Sequence, residues 1–238
     1  MRAPRMIVLL SCFAFGVARA EEKKEWEHSA ELSLLLTSGN TEISTFGVGG
    51  ASAYKPDPWA VKAKANYLRS SDSGLKKAES FEAELRGERK LSEPLSIFVL
   101  ANYLKNQFSG FNDRFGAETG ANYLLLKQEA HELSTELGVG VIKENRTDNT
   151  IQNFVTGRIG ARYAWRFSEN GEFSTQTSFI ENFQTTRDWR IRNVNSVTAI
   201  LTSVLSLKAS FAVEHLNTPV MGKKKTDTTT TIALVAKF

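Results

Sequence analysis

The feature that most constrains this chain is alternation. From Trp26, every second residue is Trp26, His28, Ala30, Leu32, Leu34 and Leu36, and the residues between them are mostly polar. This is the period of a strand with two unlike faces, not of a helix. The same pattern returns at Trp59, Val61, Ala63, Ala65 and Tyr67, at Phe81, Ala83, Leu85 and Gly87, and at Leu205, Leu207, Ala209, Phe211 and Val213. Such segments exceed the ~5–6 residues of an ordinary soluble strand and match the ~9–11 that cross a bilayer at a tilt. Nowhere after the first twenty residues does the sequence approach the ~18–20 unbroken apolar residues of a membrane-spanning helix.

Turn residues divide the chain into twelve such segments, at 26–37, 42–54, 59–69, 79–90, 95–106, 114–126, 131–143, 151–165, 172–183, 191–200, 205–216 and 227–238. The expected fold is all-β: a transmembrane antiparallel up-and-down β-barrel of about twelve strands. Closure follows from chemistry, because lipid offers no partner to an unpaired backbone group. Connections 55–58, 92–94, 127–130, 168–171 and 201–204 are short. On the other side, 70–78, 107–113, 144–150, 184–190 and 217–226 are longer and more polar, and only 38–40 is tight. That asymmetry is expected of short periplasmic turns and longer outer loops.

Residues 1–20 open with Arg2 and Arg5, continue through an apolar run from Met6 to Val17, and end on Ala18-Arg19-Ala20. This is the order of a secretory signal peptide, which leaves 21–238 as the barrel domain. A lipoprotein cut before Cys12 would shorten the apolar run below its usual length. Cleavage after Ala20 removes three of the 30 basic residues and none of the 26 acidic ones, a mature balance of 27 to 26. The apparent basic excess disappears, so no nucleic-acid partner is expected. The single cysteine, Cys12, leaves with the signal, and disulfide and thiol chemistry leave with it.

With the apolar face on lipid, the charged face turns inward. Lys62, Lys64, Glu82, Glu84, Arg86, Glu88, Glu118, Glu136, Arg158, Arg162, Lys208 and Glu214 are the expected lumen-lining residues, six cationic and six anionic. Beside them, Gly116, Gly120, Gly138, Gly140 and Gly160 would leave a narrow watery passage. Two readings stand: a small passive channel for ions or small polar solutes, or a plugged structural barrel whose charges pair across the lumen. The aromatic girdle is expected at Trp26, Trp59, Tyr67, Tyr123, Tyr163, Trp165 and Trp189, with Tyr54 and Tyr103 near the same rims.

His28, His131 and His215 lie on separate segments, so no metal or cofactor is expected. A lipid hydrolase would need a base beside a nucleophile on the outer wall, and His215 with Ser196 is the pair to weigh. No orienting carboxylate is evident and the tenth segment has ambiguous parity, so the expectation is a protein that is not an enzyme. Lys223-Lys224-Lys225 offers charge attraction to lipopolysaccharide phosphates. Partners are therefore outer-membrane lipid and lipopolysaccharide, with no basis for an oligomeric state.

The last segment alternates Thr228, Thr230, Ile232, Leu234, Ala236 and Phe238. It resembles the carboxyl-terminal strand of outer-membrane proteins, which implies that Phe238 serves as the signal read by the barrel-assembly machinery. Gly39-Asn40-Thr41, Asp113-Arg114, Pro219, Gly222 and Thr226-Asp227-Thr228 occur in order along the chain. In this set the sequence resembles the YdiY-like salt-induced outer-membrane protein family, over essentially all of 21–238. The resemblance implies an exported barrel in the outer membrane and brings no substrate and no catalytic residues.

Overall fold

A computed structural model describes residues 25–38, 44–72 and 75–238. The segment 1–20, expected to be a signal peptide, and the Gly39-Asn40-Thr41 motif lie outside the described residues. Twelve strands follow one another: β1 (Trp26–Ser38), β2 (Ser44–Tyr54), β3 (Trp59–Asp72), β4 (Leu75–Lys90), β5 (Leu95–Asn106) and β6 (Phe111–Lys127) form one half. The other half is β7 (His131–Arg146), β8 (Ile151–Ser168), β9 (Gly171–Asn182), β10 (Trp189–Ile200), β11 (Leu205–Leu216) and β12 (Thr226–Lys237). Each strand pairs antiparallel with its chain neighbours, and β1 pairs with β12 from Ser29 opposite Lys237 to Ser38 opposite Thr228. The ring has no free edge, so the ladder satisfies its backbone groups without water.

Directly opposed residues share a face. Leu32 faces Val48 and Leu234, Val61 faces Tyr54 and Gly87, and Val139 faces Thr119 and Gly157. The exterior so traced carries exposed Val99, Leu137, Ile159, Phe211 and Ile232. A soluble protein would bury such a band, and a bilayer would cover it.

The strands run farther than the hydrophobic pattern predicts. β4 begins at Leu75, β7 extends to Arg146 and β8 to Ser168, giving strands of up to 18 residues. The long connection expected at 70–78 is strand at 70–72 and 75–78, and those expected at 107–113 and 144–150 shorten to loops at 107–110 and 147–150. Polar residues on both faces signal a loop only where the backbone is unpaired. Above the lipid band both faces of a strand meet water or polar side chains, and the ladder continues.

Candidate functional site

The register turns all twelve sequence-predicted charged residues toward the interior. Lys62 and Lys64 sit opposite Arg86 and Glu84, Glu118 opposite Gly140, Glu136 opposite Gly160, and Lys208 opposite Thr198 and Ala233. Glu82, Glu88, Arg158, Arg162 and Glu214 share that parity. The interior divides into three zones along its length.

At the end holding the short turns and the described chain terminus lies a vestibule of about 980 Å3. Its wall includes Lys62, Lys64, Glu84, Arg162 and Gln176, and its floor is an ion-pair network. Arg86 Nη2 donates to Glu88 at 2.9 Å and to Glu136 at 2.8 Å, joining β4 to β7. Arg158 Nη1 donates to Glu118 at 2.5 Å, and its Nη2 lies 3.6 Å from Glu136. Lys62 and Lys64 pair with Glu88 at 3.3 Å and Glu84 at 3.0 Å.

Beside this floor, as the strand partner of Glu88, sits Phe98, 2% exposed, its ring 4.1 Å from the Arg86 guanidinium carbon. The interior glycines make room for such groups and do not hold a passage open. A Cβ at Gly120 would stand 2.2 Å from the Leu137 carbonyl oxygen and 2.9 Å from the Phe98 ring. One at Gly116 would meet Asn102 at 2.6 Å, one at Gly140 would meet Glu118 at 2.6–2.8 Å with the Ala117 carbonyl, and one at Gly160 would meet Glu136 at 3.4 Å. At Gly116, Gly120 and Gly140 neighbouring backbone and side-chain atoms already take the vacated space, and at Gly160 Glu136 lies at ordinary contact distance, which differs from the expectation of a glycine-lined path.

The loop end is packed. Glu144 has no exposed surface; it accepts from Arg146 Nε at 2.9 Å and Nη2 at 2.8 Å, and from Arg190 Nη1. Arg190 also lies 3.5 Å from Asp188, which accepts from Asn182 Nδ2 at 3.1 Å. Over this cluster the 217–225 loop crosses the mouth. Val220 packs with Phe111, Leu216 and Leu104, and Lys223 Nζ donates to the Gln107 carbonyl at 3.3 Å. Ser109 donates to Asp227 at 3.3 Å, tying the β5–β6 loop to β12 on the far side of the ring. Among the sequence motifs, Lys223 and Lys225 are thus tethered, the latter to Asn217 at 3.3 Å.

Sequence reasoning did not single out Glu144, Arg146, Asp188 or Arg190. The one available hint was an apolar Val220-Met221 inside a polar loop.

The predicted aromatics all face outward. Trp26 stacks on Tyr54 at 4.5 Å, and Trp165 and Tyr163 stack against His131. Arg89 lies over Trp59, Trp189 stacks on His215 at 5.1 Å, and Tyr67 donates to Glu79 at 3.3 Å. Tyr123 is paired with Leu95 and Thr135 on the same face. Phe238 exchanges two 3.0 Å backbone hydrogen bonds with His28, extending the seam to the last residue. Ser196 and His215 stand on opposite sides of the wall. Ser196 is buried inside against Ser210 at 2.9 Å, whereas His215 is outside with Thr226 at 2.8 Å.

Comparison with known proteins agrees with this architecture. The chain is 23% identical over 216 residues to the "Uncharacterized protein YdiY" of Escherichia coli K12, covering 90% of this chain and 84% of that protein. Among solved structures it is similar to the NanC porin, with a TM-score of 0.62 at 10% identity, covering 88% of this chain and all of that one. It is also similar to the KdgM porin in complex with disordered oligogalacturonate, with a TM-score of 0.51 at 8% identity, covering 88% and 99% of the two chains. At those identities the likeness is one of fold, that of outer-membrane barrels. A family model described as "Protein of unknown function, DUF481" matches residues 30–238, and the chain belongs to that family.

Proposed function

We propose that this protein is an outer-membrane channel for passive movement of ions or small polar solutes, delivered across the inner membrane by a cleaved signal at 1–20. The observation that carries the reading is the vestibule of about 980 Å3, floored by mixed charges, inside a wall whose exterior is apolar. Solutes enter among Lys62, Lys64, Glu84 and Arg162 and meet the narrowest point at the network of Arg86, Glu136 and Arg158 beside Phe98. Passage beyond requires the 217–225 loop to lift from the mouth. The outward Trp and Tyr rings act as interfacial anchors at headgroup level. Phe238, held to His28 at the seam, is the residue the barrel-assembly machinery recognises, and the Lys223-Lys224-Lys225 run attracts lipopolysaccharide phosphates. The reading includes no enzymatic activity; the separation of Ser196 from His215 supports that part of it.

A second reading is favoured by the fully buried Glu144 and its two arginines: a plugged barrel that serves structurally. Planar-bilayer recording of refolded protein separates the two. Discrete conductance steps are expected from the channel. Their absence at high protein load establishes the plugged barrel.

A further inference from the structure

We infer that the vestibule is an oxyanion-selective site centred on Arg162, taking small solutes that carry a carboxylate, phosphate or sulfonate. The inference names the solute class of the channel proposed above and rests on that reading for its transport meaning. It rests on the geometry alone for binding.

Total charge does not decide selectivity here. Nine Lys and Arg side chains line the cavity against seven Asp and Glu, and Glu118 of the floor network narrows the difference further. Placement decides it. On the floor, Arg86 and Arg158, with Lys62 reaching from the wall to Glu88, are matched by Glu88, Glu118 and Glu136, so the network cancels most of its own field. Along the wall, the cation is the member of each pair that meets the cavity. Lys62 is 47% exposed against 17% for Glu88, and Lys64 is 51% exposed against 31% for Glu84. Other carboxylates, such as Asp57, Glu93 and Glu132, belong to the turns and the strand start at the mouth.

Arg162 differs from all of these. It projects inward from β8, is exposed, and has no carboxylate within ion-pair distance among the described residues. It stands one inward position nearer the mouth than Gly160, the strand partner of Glu136, so it lies just above the neutral floor. Its own strand partners, Ser134 and Gln176, supply a hydroxyl and a carboxamide on either side. A planar guanidinium flanked by neutral donors recognises an oxyanion by two parallel hydrogen bonds, whereas the neighbouring Glu84, Glu88 and Glu136 are already ion-paired.

The test reads local potential without requiring conduction. Cys12 is replaced by Ser, and Gln176→Cys places a thiol beside Arg162 in the folded, detergent-solubilised full chain. Its reaction rates with an anionic sulfonatoethyl and a cationic trimethylammonioethyl methanethiosulfonate are compared with those of the same thiol in the urea-unfolded chain. The anionic-to-cationic rate ratio is expected to exceed the unfolded value and to fall at least about fivefold in Arg162→Gln, with Arg162→Lys restoring most of it. Retained heat-modifiable gel mobility shows that each variant is folded. A ratio unchanged by Arg162→Gln, or below the unfolded value, overturns the inference. Loss of conductance in bilayers with the ratio intact would instead remove the channel and leave the anion site standing.

Discussion

The two ends of the lumen are built from the same residue types and behave in opposite ways. At the turn end, Lys62 and Lys64 reach their carboxylates across adjacent strands with much of each side chain still in water. Such pairs contribute little and exchange easily with solvent or solute. At the loop end, Glu144, Arg146 and Arg190 are sealed beneath Val220, Phe111 and Phe154. Desolvated charges must be fully partnered, and removal of one strands the others. Solvation, more than charge, therefore separates a vestibule from a plug.

The most severe way to test the contrast is Glu144→Ala. It leaves two buried guanidinium groups without their common acceptor and is expected to cost about 3–5 kcal/mol in reversible urea unfolding in lipid vesicles. A loss below 1 kcal/mol would show that the loop end is wetter than its packing implies. Phe98→Ala removes the ring between the vestibule floor and the Gly120/Gly138 surface. A loss of roughly 3 kcal/mol and a larger single-channel conductance are expected, and unchanged conductance would place the narrowest point elsewhere. Val220→Asp should expel the crossing loop, forfeiting about 1.5–3 kcal/mol of burial and raising the fraction of time the pore is open. Glu84→Gln, the vestibule counterpart of the first change, is expected to stay within about 1 kcal/mol.

The smallest effect concerns the 147–150 loop. There the Thr150 hydroxyl at 2.6 Å and its backbone N–H at 3.0 Å both donate to Asp148, holding that carboxyl below its ordinary 3.8. A depressed folded value means that the turn's stabilisation is complete above 3.8 and is lost as pH falls through the lower folded value. The Thr150 amide resonance should titrate below the usual aspartate range, and a midpoint at the ordinary value would show the turn open in solution.

Much of the barrel was legible because parity leaves a long-range mark on a strand: once Leu137 faces lipid, Val139 does too. β10 shows where that mark fades. Its outward Asn193 donates to Thr175 and Thr177 at 3.3 and 2.8 Å, while Arg190 and Arg192 face inward, so both faces read as polar. The loop-end cap was less legible still. Val220 meets Phe111 across more than a hundred residues, and no local periodicity records such a contact. The glycines misled for a related reason: a missing side chain marks space without saying whether Phe98 or water fills it.

The order of residues was enough to specify a closed twelve-stranded barrel with an apolar exterior and a charged interior, because alternation and backbone satisfaction are properties of consecutive residues. Which charges find one another, that Arg162 meets no carboxylate among the described residues, and that one mouth is capped emerged from the closed ring itself. Those outcomes depend on distances across a closed ring, set by register and loop packing and written in no single strand.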